Sequence, residues 1–171
     1  MAKIISFKKA CELSKKFRKE GKKVVFTSGC FDILHLGHIR FFKSLRKWCG
    51  KNAIVICGVE MDKYLKDIKG QIRPIFSQKN RAEVLSSVAE LDFVTTLDDR
   101  AYVMLYRDIA ANCVVFGNTE PKLLKLIKRQ VLQFGGNFKH IVQKIDYLST
   151  TNLAKLILDN CDGFGGKYAG Q

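Results

Sequence analysis

The sequence predicts an α/β protein: a Rossmann-like, doubly wound parallel sheet with helices on both faces, formed as a single domain. Three observations lead there. Short β-branched apolar runs recur along the chain, amphipathic segments of helical length separate them, and the connections are short. With 171 residues and 47% hydrophobic content, the chain can bury one core. No internal repeat is present.

The elements follow in order. Ser6 can cap a helix whose apolar positions Phe7, Ala10, Cys11, Leu13 and Phe17 keep helical spacing, and Gly21 suits its end. The runs "KKVVFTSG" and "NAIVICGV" read as strands buried on both faces, and between them the pattern predicts a helix from His38 to Cys49, closed by Gly50. A helix from Asp62 to about Ile68 gives way to the irregular stretch "KGQIRPIFSQ" around Pro74. A helix from Gln78 to Ala89 then leads to the strand "LDFVTT". Helix Arg100 to Ala110 precedes the strand "NCVVFG". Helix Pro121 to Phe134, with proline in its first turn, leads through Gly135-Gly136 to "NFKHIVQ". A last helix starts at "STTNLAKLIL", so residues 1–160 form the domain. The glycine-rich end "CDGFGGKYAGQ" (161–171) is expected to be a flexible tail.

Composition removes several classes of function. No apolar segment approaches the ~20 residues that cross a bilayer, and the N-terminus lacks the pattern of a secretory signal, which points to the cytoplasm and to no membrane partner. Six cysteines without a C-x-x-C pair or histidines at ligand spacing read as small buried hydrophobes, so no metal ligands are assigned. The net charge of +14 concentrates polyanions near the surface. The densest basic run, "KKFRKEGKK", surrounds the end of the first helix, where a solvated cationic face accounts for it as well as RNA binding would.

The chemistry concentrates in "SGCFDILHLGHIRFF", immediately after the first buried run. Ligands of open α/β sheets sit outside the carboxyl ends of strands, and Thr27 to Phe31 occupies such an end. Gly29 and Gly37 let backbone approach a ligand without a Cβ in the way. His38 falls in the first turn of a helix, where free N–H groups favour anions, and His35 precedes it by three residues, so both imidazoles can point into one space. This constellation suits an oligophosphate, beside which the imidazoles should take their charged form. His140, in "FKHIVQ", reads instead as a satisfied core histidine.

The motif "GCFDILHLGH" resembles the H-x-G-H signature of the nucleotidyltransferase superfamily of cytidylyltransferases and adenylyltransferases. Further segments, "KGQIRPI", "NRAEVLSSVAELDFVTTLDD", Gly135-Gly136 and "LSTTNLAKLI", resemble in order the adenylyltransferase domain of ADP-heptose synthases. The likeness covers about residues 3–158. It implies an enzyme in which an acceptor phosphate attacks the α-phosphate of ATP or CTP and pyrophosphate leaves, with Mg²⁺ carried by the triphosphate. Heptose 1-phosphate is the acceptor nearest by resemblance.

The resemblance also implies roles. His35, His38 and Lys69 stabilise the reacting phosphates, and Lys66 can serve the same purpose. Thr27, Ser28, Gly29, Cys30, Phe31, Gly37, Gly117, Asn118, Ser149, Thr150 and Thr151 bind the nucleotide, while Asp32, Asp62, Arg73 and Arg81 hold the acceptor or orient a neighbour. Alternative readings keep Asp32 as a turn cap, Asp62 as a helix cap and Arg81 as an ordinary surface residue. The family's Lys-Gly-Gly-Asp type segment after the fifth buried run is here Phe116-Gly117-Asn118-Thr119-Glu120-Pro121, and Glu60-Met61 replaces a small polar pair. The departures leave open a cytidylyltransferase or adenylyltransferase for another small phosphate, such as glycerol 3-phosphate or a flavin phosphate. They also leave open a non-catalytic module binding nucleotide or RNA. Nucleic acid is not the expected partner, and a homodimer is compatible with the family. An aminoacyl-tRNA synthetase is disfavoured by the lack of a K-M-S-K-S segment.

Overall fold

Consecutive apolar residues such as Val24-Val25-Phe26 point alternately to opposite faces of a strand, so such a run demands cover on both sides. The structure, a computed structural model that describes residues 1–71, 73–142 and 150–160, provides that cover. In chain order the elements are β1 (Lys3–Ile5), α1 (Phe7–Lys19), β2 (Val24–Gly29), α2 (Leu36–Cys49), β3 (Ile54–Val59), α3 (Asp62–Lys69) and α4 (Gln78–Ser86). There follow β4 (Phe93–Thr96), α5 (Asp99–Ile109), β5 (Cys113–Phe116), α6 (Pro121–Gln133), β6 (Asn137–His140) and α7 (Thr150–Asp159).

The six strands form one sheet in the order β1-β4-β3-β2-β5-β6, and every pairing is parallel. This is the doubly wound, Rossmann-like arrangement. Val25, Val55, Cys57, Val94 and Val115 pack on one face against Phe41, Phe42 and Leu45 of α2 and Ala82 and Leu85 of α4. Val24, Phe26, Ile56, Val114 and Phe116 pack on the other against Ala10 of α1, Leu105 and Ile109 of α5, and Ile127 and Val131 of α6.

Local chemistry sets the element ends. Ser6 Oγ accepts the Lys9 N–H (3.2 Å) at the start of α1, whose last turn carries Lys16, Arg18 and Lys19 against the negative end of the helix dipole. At the amino end of the sheet, Arg46 donates to the carbonyls of Ala53 (2.7 Å) and Glu90 (2.6 Å) and pairs with Asp92 (2.8 Å). Asp92 in turn accepts the Val55 N–H (2.7 Å), which ties α2 to the starts of β3 and β4.

Three expectations change. The three-residue edge strand β1 was not expected. Helix α4 ends at Ser86 rather than Ala89, because the Ser87 and Val88 N–H groups turn back to Val84 (3.2 Å) and Leu85 (3.0 Å). His140 lies exposed on the edge strand β6 instead of in the core, with Nε2 3.1 Å from the Gly117 carbonyl. The expected tail, 161–171, lies outside the described residues. Among the described residues no helix is long and apolar enough to cross a membrane.

Candidate active site

From β2 the chain departs to β3 on one side, and β5 later returns to its other side. The order reverses at β2, which makes its carboxyl end the expected ligand crevice. The turn after β2 is shaped by Phe31, whose left-handed φ of 47° is unusual for an aromatic residue. Its buried ring packs on Phe42 (5.4 Å between centroids) and meets the edge of His38 (5.3 Å). Gly29 leaves room beneath it: a Cβ there would lie 3.0 Å from the Phe31 ring, which would have to shift.

His35 and His38 cap α2 together. The Gly37 N–H donates to His35 Nδ1 (3.1 Å), and the His35 N–H donates to His38 Nδ1 (3.4 Å). The rings lie 3.9 Å apart. Because each Nδ1 lone pair is taken by a backbone donor, the neutral ring carries its proton on Nε2 and keeps an N–H for a ligand. Burial, then His35, then Lys69 hold His38 down at about 4, and burial lowers His35. In the chain alone the two rings are therefore held neutral, each with an N–H on Nε2, and a phosphate beside them would act against this effect of burial. Such rings suit phosphate oxygens rather than a metal ion, and among the described residues no group of three or more His, Cys, Asp or Glu is placed to hold a metal.

Behind the turn lies a buried polar frame. Asp32, 2% exposed, accepts Arg73 Nε (2.7 Å) and the N–H groups of Ile75 (2.8 Å) and Phe76 (3.0 Å), which straps the 73–76 segment to the motif. Arg73 Nη2 is buried without a hydrogen-bond partner among the described residues. Arg81, 1% exposed, donates to the carbonyls of Cys30, Glu60 (2.6 Å) and Phe76 (3.0 Å) and pairs with Asp62 (2.6 Å). Asp62 also accepts the Gln78 N–H (3.2 Å) at the start of α4. Of the expected acceptor group, Asp62 and Arg81 therefore hold each other and the backbone, while Asp32 holds the 75–76 backbone and orients Arg73. The reading of Arg81 as a surface residue does not survive its burial.

In front of this frame opens a cavity of about 700 Å³. Its wall includes Ser28, Gly29, Cys30, Phe31, His35, Gly37, His38 and Lys69 of the expected set, joined from the β5 side by Gly117 and Asn118. Thr27 is not part of the wall; it is 1% exposed within β2. Gly117 sits so close to Phe41 that a Cβ would lie 3.0 Å from the ring. Ser149 lies outside the described residues, as do the side chains of Thr150 and Thr151, although both threonines begin α7. Lys66 lies in the last turn of α3 and is exposed.

Sequence reasoning overlooked several wall residues. Glu60 directly follows β3, and Tyr64 and Tyr106 stand beside it. Burial and the Glu60 carboxylate raise the titration of both phenols, while Tyr106 hydrogen-bonds Ser28. An acidic residue at a strand's carboxyl end was the available signal. Gln78 was missed too: its amide donates to Val59 (2.9 Å) and Leu97 (2.8 Å), joining the ends of β3 and β4. Glu120, where the expected segment breaks, accepts the Lys122 (3.0 Å) and Leu123 (2.9 Å) N–H groups and caps α6.

The family model described as cytidylyltransferase-like matches residues 26–153, from β2 into α7. The bifunctional protein HldE of Aliarcobacter butzleri is 32% identical over 170 residues, covering 92% of this chain and 31% of that protein. HldE of Wolinella succinogenes is 41% identical over 106 residues, or 62% of this chain and 22% of that protein. The chain thus spans about a third or less of the length of these relatives. Among solved structures, a lipopolysaccharide core biosynthesis protein from Thermoplasma volcanium superposes with a TM-score of 0.58 at 22% identity, covering 72% of this chain and 98% of that one. A pantoate-beta-alanine ligase from Francisella tularensis gives 0.64 at 18% identity, covering 90% and 73%. These superpositions speak to the fold.

Proposed function

The chain belongs to the cytidylyltransferase-like family, and on that premise we propose that residues 1–160 transfer AMP from ATP to a sugar 1-phosphate, with a heptose 1-phosphate as the nearest acceptor. The observation that carries the proposal is the His35–His38 pair at the start of α2, two neutral N–H donors facing one cavity at the switch point of the sheet. An acceptor phosphate oxygen, anionic near neutral pH, attacks the α-phosphorus of ATP. The bond to the bridging oxygen breaks, and pyrophosphate leaves with that electron pair.

Such a step needs alignment and charge stabilisation more than a general base. His35 and His38 donate from Nε2 to phosphate oxygens, and Lys69 brings a full positive charge to the same wall. The backbone of Ser28 and Gly29 approaches the triphosphate, with Gly117 and Asn118 on the nucleotide side. Arg73, held through Nε by Asp32, is not among the residues that line the cavity, and its place on the acceptor side rests on the family resemblance. Mg²⁺ would arrive on the triphosphate and offset its charge; the protein groups named here bind oxygen atoms rather than the ion.

The test follows pyrophosphate with Mg²⁺, ATP or CTP, and heptose 1-phosphate, glycerol 3-phosphate or a flavin phosphate. Release that requires ATP and the heptose phosphate, and that vanishes in His38→Ala, is the expected outcome. Equal turnover by His38→Ala would overturn the mechanism. A preference for CTP or another acceptor would move the enzyme within its class.

A further inference from the structure

The loop from β5 to α6 contributes consecutive residues, Gly117 to Glu120, to the wall of the cavity. Backbone that meets a ligand must be held at both ends of its loop if it is to meet it in one place. The α6 end is held by Glu120, whose carboxylate accepts the Lys122 (3.0 Å) and Leu123 (2.9 Å) N–H groups. The β5 end is held from β6. Phe116 and His140 are opposite residues of the two strands, and the Ile141 N–H donates to the Phe116 carbonyl (2.9 Å), which carries the ladder to the last residue of β5. One residue further on, where the backbone leaves the sheet, the ring of His140 takes over: its Nε2 lies 3.1 Å from the Gly117 carbonyl. A carbonyl only accepts, so the imidazole carries a proton on Nε2 in this contact.

The peptide that joins Gly117 to Asn118 is trans, so its carbonyl and its N–H point in opposite directions. Holding the carbonyl to His140 therefore sets the plane of that peptide as well as the place of one atom. At its Cα, Gly117 comes so close to Phe41 that a Cβ would lie 3.0 Å from the ring. Phe41 is buried and stands on α2 three residues after His38. Gly117 is thus placed by two contacts, and the first registers it to the helix that carries the histidine pair. His140 adds little to the core in making the second: it is exposed, lies on the last strand of the sheet and belongs to neither apolar cluster. Truncating such a side chain costs a fold little. What it changes is one peptide in the cavity wall.

We propose that His140 is a positioning residue for the nucleotide: its hydrogen bond to the Gly117 carbonyl sets the turn against which the nucleoside part of the triphosphate substrate rests. The inference rests on the nucleotidyltransferase reading. It adds a residue of the edge strand, outside the H-x-G-H motif and outside the cavity wall, that acts through the backbone it holds.

The experiment titrates the full chain with α,β-methylene ATP and α,β-methylene CTP, and carries forward the analogue that wild type binds more tightly. Binding by H140A and H140Q is then measured beside melting temperatures. One hydrogen bond between neutral groups sets the scale, so H140A should weaken analogue binding roughly fivefold. Glutamine keeps an N–H donor at about the reach of Nε2, so H140Q should stay within about twofold of wild type. Both variants should melt with wild type. Pyrophosphate, which offers phosphates without a nucleoside, should bind H140A as it binds wild type. Unchanged analogue affinity in H140A would overturn the inference. So would H140Q weakened as much as H140A, or pyrophosphate affinity falling by the same factor as analogue affinity. A wild-type chain that binds neither analogue would fail differently, because it removes the nucleotidyltransferase reading itself.

Discussion

Replacing Asp32 with alanine should cost more stability than any other single change at the motif. The carboxylate is 2% exposed, bonds Arg73 Nε at 2.7 Å, and accepts the Ile75 and Phe76 N–H groups. Removing it leaves a guanidinium buried and unpaired, an event that costs about 3–5 kcal/mol. For a chain of this size each kcal/mol moves the melting temperature by about 2–4 °C, so the midpoint should fall by roughly 6–20 °C. Asp32→Asn keeps one oxygen as acceptor for the two N–H groups but removes the charge and turns an NH₂ donor towards Arg73 Nε, so it should still cost about 1.5–3 kcal/mol. The double variant Asp32→Ala/Arg73→Met removes both charges and should recover a substantial part of the loss. Urea melts of wild type, Asp32→Ala, Arg73→Met and the double variant, with calorimetric midpoints, provide the cycle, with Asp32→Asn measured beside them. An Asp32→Ala loss below about 1 kcal/mol, or a double variant as unstable as the sum of the single ones, would refute the buried-strap account.

Two further outcomes follow from the same wall. His38 resists protonation down to about 4 when folded, against 6.5 ordinarily, so protons bind the unfolded chain first as pH falls. Its contribution is therefore complete above about 6.5 and is lost between 6.5 and 4, on the order of 3 kcal/mol. Urea melts at pH 7 and 4.5 should show this drop, and a His38→Asn variant with the same drop would count against it. Gly117→Ala would set a Cβ 3.0 Å from the ring of Phe41, which is only 7% exposed and has little room to yield. The expected cost is about 1–3 kcal/mol with weakened ATP binding, and an unchanged melting temperature would mean that the ring gives way freely.

Much of this architecture is readable from residue order, because its signals are local. The buried runs at β2, β3 and β5 and the caps at Ser6 and Gly50 each announce themselves within a few residues. The motif at Gly29 to His38 likewise contains its own turn, glycines and histidines. What escaped reading depends on residues far apart in the chain. Asp32 is an acid beside a phosphate motif, and only the return of residues 73–76 turns it inward. Arg81 resembles any helix-surface arginine until carbonyls from the ends of β2 and β3 converge on it. Glu60 and Tyr64 lie four residues apart around the start of α3, but Tyr106 joins them from α5, more than forty residues later. The three residues of β1 are too few to show strand alternation, and their pairing with β4 supplies the order that local propensity does not. At His140, an apolar neighbourhood in sequence proved to be an exposed sheet edge in space.

The Arg81 brace also bears on how the chain acquires its site during synthesis. Its partners lie 51, 21, 19 and 5 residues earlier, at Cys30, Glu60, Asp62 and Phe76. Until α4 has left the ribosome, no cation is available to hold the turn after β2 against the end of β3. The histidine motif, although synthesised early, therefore waits about fifty residues for the group that locks its surroundings. A nascent chain stalled before residue 81 would contain the whole H-x-G-H signature and still lack a rigid binding surface. Competence for ligand should therefore not precede the docking of Arg81, and it is complete only when β5 has brought Gly117 and Asn118 to the other side of β2.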